Sequence, residues 1–307
     1  MAAWSPSHRC AAIGGQGRIA GCRETVWTMK NKHQSGLIGF FAIAFALSWS
    51  CWILAALLDR GFDSSPVRWL TYAGAFGPAA AAIALVYLTG DEQDRADYWA
   101  RVTEVSRIRG RWMIPVLLLY PLVTALALLC DTALTGVAPA LSAVGEHLLS
   151  APSSIVAVVV WLLLLGPIPE ELGWRGYALD RLQHRWGALT SSIILGLLWA
   201  AWHLPLFFVK GSYQNQLGVG SLSFWSYGLT VIEVSVLLTW IYNNNARSVL
   251  AAILFHAVLN ISGAPFLPSP VAEVTKALVM AIVVGVVVLT WTPTTLSTFR
   301  LRTVGKG

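Results

Sequence analysis

The residues of this chain best equipped for chemistry are acids, histidines and one asparagine set among apolar neighbours. Glu170 and Glu171 follow the apolar run 155–168, and Arg175 stands four positions after Glu171. His203 lies in Trp199-Ala200-Ala201-Trp202-His203-Leu204, and His256 and Asn260 are four apart in Phe255-His256-Ala257-Val258-Leu259-Asn260. A carboxylate can take a proton from water, an imidazole can share it, and hydrogen-bond donors can stabilise the oxyanion that follows. Ionisable groups at membrane depth are expensive and are kept where they face a protein interior or a wet cavity. The expectation is one polar pocket inside a bilayer that gathers Glu170, His203, His256 and Asn260.

Spacing divides the roles. Neighbours on a helix are rotated by about 100°, so Glu170 and Glu171 point apart and do not form a dyad. Glu171 and Arg175 stand in the favourable i, i+4 order, acid first. They are expected to brace each other while Glu170 faces the pocket. His256 and Asn260 share a helical face and either bond one another or line a site together. Each feature alone has a plain structural alternative, a polar helix end for the Glu170 segment and a hydrogen-bonded packing residue for His203. In soluble metalloproteases histidine and glutamate bind zinc and activate water, but the compact HExxH pattern is absent here.

The elements that must position these groups are membrane helices. The 307 residues are 56% hydrophobic and 12% charged, against about 25% charged in soluble domains. Several apolar runs reach the roughly 20 residues that cross a bilayer. The fold class expected is an all-α polytopic membrane protein. Its eight spans lie near 37–58, 68–89, 113–135, 153–169, 188–209, 221–242, 247–263 and 271–292, in one bundle over 29–307. Residues 1–28 show no apolar period and are taken as a disordered or spurious extension, with Met29 as an alternative start. Small residues at Ala75, Gly77, Ala79 and Ala81 suit close helix packing, and Pro78 is placed to kink its helix.

Basic residues fix the orientation. Seventeen lie before span 1, after spans 2, 4 and 6, and in the tail, whereas only Arg60, Arg68, Lys210 and Lys276 fall on the other side. Both termini are therefore expected in the cytoplasm, with Glu170 at the cytoplasmic end of span 4. The net charge of +6 reflects this topology and is no signal for nucleic acid. The 91–111 loop reads as a solvated amphipathic segment. Four cysteines show no metal-ligand spacing, and Cys51 and Cys130 read as packing residues. One tension remains: Glu170 at a helix end and His203 deep in span 5 meet only if 169–185 re-enters the bundle or span 5 starts later.

The ordered trio Glu170-Glu171-x3-Arg175, Trp199-x3-His203 and His256-x3-Asn260 resembles the CPBP (CAAX protease and bacteriocin-processing) family of intramembrane proteases, which includes the Ras-converting CAAX endopeptidase. The resemblance covers about residues 150–265. The departure is Trp199, where the family often has phenylalanine. The resemblance implies an eight-helix bundle and an endopeptidase with Glu170 as general base. It implies His203 as the residue holding the water, His256 and Asn260 as oxyanion donors, and Glu171 and Arg175 as supports. Such enzymes are described both as metalloproteases and as glutamate proteases; if zinc is used, Glu170, His203 and His256 are its candidate ligands. The expected partners are a membrane-associated peptide or protein substrate, CAAX-like or of leader type, and the lipid bilayer. The expected location is a bacterial cell membrane with the site toward the cytoplasm. A non-catalytic immunity or scaffold protein, and a transporter built on a proton relay, are the readings that compete.

Overall fold

The computed structural model describes the backbone of residues 19–297 and the side chains of residues 36–297. The chain first forms helices α1 (Ile19–Leu57), α2 (Ser65–Ala75), α3 (Gly77–Thr89), α4 (Glu92–Thr103), α5 (Met113–Thr135) and α6 (Ala143–Ser150). Helices α7 (Ile155–Leu165), α8 (Pro167–Gly173), α9 (Leu179–Gln183) and α10 (Ala188–Trp202) follow, then α11 (Tyr213–Leu217), α12 (Leu222–Asn244), α13 (Val249–Gly263) and α14 (Pro270–Thr290). Among the described residues there is no strand, only an isolated bridge between Leu141 and Phe266. Among the described residues, six helical stretches are long and apolar enough to span a membrane, and α2 with α3 makes a seventh, bent by 40°. Helix α13 is a shorter apolar helix of 15 residues. This is the all-α, polytopic architecture expected from the sequence, and the spans together with α13 come close to the eight expected. Helix α1 begins inside the stretch taken as an extension; the reading for residues 1–18 lies outside the described residues.

The segments between spans form two opposed faces. At one, the 90–112, 184–187, 243–248 and 291–297 segments are tied together. Arg109 N donates to Asn245 Oδ1, Asn243 Nδ2 donates to the Thr295 carbonyl, and Arg107 donates to the Ala246 carbonyl. We call this the arginine face. At the other, Phe62 N donates to the Lys210 carbonyl and Ser142 N to the Pro265 carbonyl, so the 58–64, 136–154, 204–221 and 264–270 segments close that end. We call this the loop face.

The 91–111 segment is not simply solvated. Asp91 and Asp94 form a reciprocal capping box that starts α4. One side of α4 is buried, with Tyr98 donating to the Leu172 carbonyl and Arg101 reaching the Gly176 carbonyl, Tyr242 and Asp180. A solvated helix was expected because charges of both signs dominate the segment. Its buried partner, the turn after Glu171, is distant in sequence.

The second correction concerns span 4. It does not end at residue 169, because the helical run continues from Pro152 to Gln183. Gly166 and Pro167 break it, α8 resumes at once, and a π-helical turn over Trp174–Ala178 carries Arg175 before α9 begins. Such wide turns occur often at functional sites. Glu170 therefore lies within the span, and its run passes through the bundle rather than stopping at its edge.

Small residues set how closely α8 can approach. Gly173 packs on the α2–α3 break, where an added Cβ would stand 2.8 Å from both the carbonyl carbon and the oxygen of Pro78. Gly77 faces Ser48 at similarly close range, and Ala75, Ala79, Ala81 and Ala82 are buried beside it. The small-residue pattern thus serves close packing, and the bend falls at Phe76, immediately before Gly77-Pro78. Gly173→Ala is expected to lower stability by about 1–3 kcal/mol, the usual cost of overpacking, read as a lower thermal midpoint in detergent.

Candidate active site

The six candidate residues arrive on four supports. Glu170 and Glu171 are carried by α8, Arg175 by the wide turn, His203 by the last turn of α10, and His256 and Asn260 by α13. Glu170, His203, His256 and Asn260 all line one cavity of about 570 Å³. The side chains of Glu171 and Arg175 are fully buried behind it. The division expected from helical rotation is observed: Glu170 faces the cavity and Glu171 turns to Arg175.

Glu171 is shared by two partners. Its Oε1 accepts from Arg175 Nη1 at 3.2 Å and from His256 Nδ1 at 2.9 Å. Arg175 also donates to Ser235 Oγ at 3.1 Å, and that hydroxyl donates to the Ser192 carbonyl. The support thus runs from α8 through α12 to α10. With Nδ1 donating to a carboxylate, the neutral His256 ring keeps a lone pair on Nε2. His203 Nδ1 lies 2.9 Å from the Trp199 carbonyl. A carbonyl only accepts, so that nitrogen bears the proton and Nε2 of His203 is again an acceptor.

Trp199 holds the centre. Its indole N–H donates to Glu170 Oε2 at 2.5 Å. The Arg175 guanidinium lies over its ring at 5.0 Å, and the His256 ring meets it edge to face at 5.3 Å. From sequence it was only a departure from the phenylalanine of the family pattern. The signal was available, because a buried indole N–H needs an acceptor and phenylalanine has none to satisfy. Ser235 and Ser192 gave less warning, since serines in apolar helices commonly bond their own backbone. Trp199→Phe keeps the ring and removes the donor. A hydrogen bond to a charged group is worth about 1.5–3 kcal/mol, so kcat for peptide turnover is expected to fall about 10- to 100-fold, with KM little changed.

Gly166 completes the site by having no side chain. A Cβ there would stand 3.0 Å from Asn260 Nδ2 and 3.9 Å from Glu170 Oε1. The amide and the carboxylate therefore flank the same gap, which is open to a small molecule such as water.

Two comparisons bear on this arrangement. Residues 152–262 match the protein family described as Type II CAAX prenyl endopeptidase Rce1-like, a range that contains all six site residues. CAAX prenyl protease 2 of Methanococcus maripaludis is 29% identical over 227 residues, which make up 73% of this chain and 82% of that protein. The chain is thus similar to the Rce1-like proteases over the stretch that carries its site. Both comparisons are with CAAX prenyl proteases, and the apolar helices indicate an integral multi-pass membrane protein.

If zinc is used, its candidate ligands remain Glu170, His203 and His256, which all line the cavity. Among the described residues no group of three or more His, Cys, Asp or Glu side chains is placed to hold a metal ion. Glu170 is bonded to Trp199, His203 to a backbone carbonyl and His256 to Glu171. These bonds engage Nδ1 of both histidines and Oε2 of Glu170, and leave both Nε2 atoms and Glu170 Oε1 outside them.

Proposed function

We propose that this protein is an intramembrane endopeptidase that hydrolyses a peptide bond of a membrane-associated substrate with water activated by Glu170. The observation that carries this reading is the convergence of Glu170, His203, His256 and Asn260 on one cavity between apolar helices. Glu170 takes the proton as water attacks the peptide carbonyl. His203 Nε2, an acceptor by its tautomer, holds the second water hydrogen. Asn260 Nδ2 is the amide donor for the developing oxyanion. His256 was expected to donate there as well, but its Nδ1 proton is committed to Glu171. Its Nε2 can donate only after gaining a proton, so its place is to take the proton that Glu170 received from water and give it to the leaving amine as the C–N bond breaks. Glu171 and Arg175 fix the His256 ring. The cavity volume falls within the range of small-ligand pockets and suits a short extended segment of peptide.

The family and the relative are both named for CAAX prenyl substrates. A prenylated CAAX peptide and a leader-type peptide are thus the two substrates to compare. The test is cleavage of both peptides by purified protein, with and without chelator, beside metal analysis of the same sample. Cleavage that persists in metal-free protein supports the carboxylate route, and cleavage restored only by added zinc replaces it with a metal-dependent one. No cleavage of either peptide or of a general peptide library removes the protease reading and favours a binding role.

A further inference from the structure

The cavity does not open toward the arginine face. Its walls run from Glu170 and His203 to Phe62, Ala143, Tyr213, Gln216 and Leu267, which belong to or border the segments of the loop face. Gln216 and Ala143 are exposed there. On the opposite side the Glu170 segment is covered, because α4 lies across it and the Arg101–Asp180–Arg247 cluster closes that end. Helix rise gives the depths. His203 is fifteen residues beyond the start of α10 at the arginine face, about 22 Å in, and Glu170 is ten residues before Asp180, about 15 Å in. Across a hydrocarbon core of about 30 Å, His203 is the nearer to the loop face.

Charge orients the two faces. The described segments at the arginine face hold Arg95, Arg101, Arg107, Arg109, Arg111, Arg185 and Arg247; the loop face and the helix ends adjoining it hold Arg60, Arg68, Lys210 and Lys276. Arg175 leaves the count because it is buried inside the bundle, and the bias keeps its sign. Short loops rich in lysine and arginine stay in the cytoplasm. We propose that the cavity receives its substrate from the non-cytoplasmic side, so that the bond cleaved belongs to a peptide presented at the outer leaflet, from an exported or membrane-anchored polypeptide. This reverses the cytoplasmic access expected from the sequence, and its substrate class rests on the protease reading above.

The experiment uses single cysteines in a chain whose Cys10, Cys22, Cys51 and Cys130 are replaced by serine. Gln216→Cys stands at the cavity mouth and Ser106→Cys is exposed at the arginine face. Intact cells are treated with a membrane-impermeant maleimide, before and after permeabilisation. At least tenfold stronger labelling of Gln216→Cys than of Ser106→Cys in intact cells is expected, with Ser106→Cys labelled once the membrane is opened. Preferential labelling of Ser106→Cys, equal labelling of both, or labelling of neither until permeabilisation overturns the proposal. Should the cysteine-free chain fail to accumulate, alkaline phosphatase fused after residue 307 of the unaltered chain gives the same answer: inactive as expected, active against it. Labelling needs no turnover, so a failure of the protease reading and a failure of the access side are distinguishable.

Discussion

Glu170→Gln is expected to reduce kcat by about 10²–10⁴-fold, the usual contribution of a general base, while the protein stays folded. The substitution is nearly isosteric. The glutamine oxygen can still accept the Trp199 N–H that now reaches Glu170 Oε2 at 2.5 Å, so the cavity keeps its shape. What is lost is the capacity to take a proton from water. Turnover by wild type and variant, measured on the same peptide at equal thermal stability, decides the assignment. A variant with unchanged kcat would mean that Glu170 is not the base. A variant that loses both activity and fold would leave the question to Glu170→Asp, which keeps a carboxylate but draws it back; a partial fall in kcat there supports the same assignment.

The largest stability effect is expected at Arg175. Its side chain is fully buried with Glu171, whose Oε1 otherwise accepts from His256 Nδ1. Removing one member of a buried ion pair leaves a charge without its partner and costs about 3–5 kcal/mol. Arg175→Met should therefore lower the thermal midpoint more than any other substitution in the site. Adding Glu171→Gln to it removes the orphaned charge and should recover much of the loss. Activity is not expected to return with stability, because Glu171 is also the group that orients His256. If the double variant is no more stable than Arg175→Met, the loss comes from packing on Trp199 and Ser235 rather than from charge.

These outcomes separate what was legible along the chain from what was not. The apolar runs determined an all-α membrane bundle, because hydrocarbon forces backbone groups to bond within each helix and a span needs a fixed number of apolar residues. Helical rotation determined that Glu170 and Glu171 diverge, and the i, i+4 spacing determined the pairing of Glu171 with Arg175. All of these are local consequences of one helix and its solvent. The bond from Trp199 to Glu170, the second partner of Glu171 on α13 and the anchoring of Arg175 on Ser235 join helices 29 to 85 residues apart. No spacing rule reaches that far. The same holds for the end of span 4, which composition places at residue 169 because charges begin there. Only packing against α3, α4 and α13 shows that those charges are satisfied inside the bundle and that the helix continues. Which face the cavity opens on was likewise decided by tertiary structure, since it depends on which loops meet at the mouth and not on the order in which the chain supplies them.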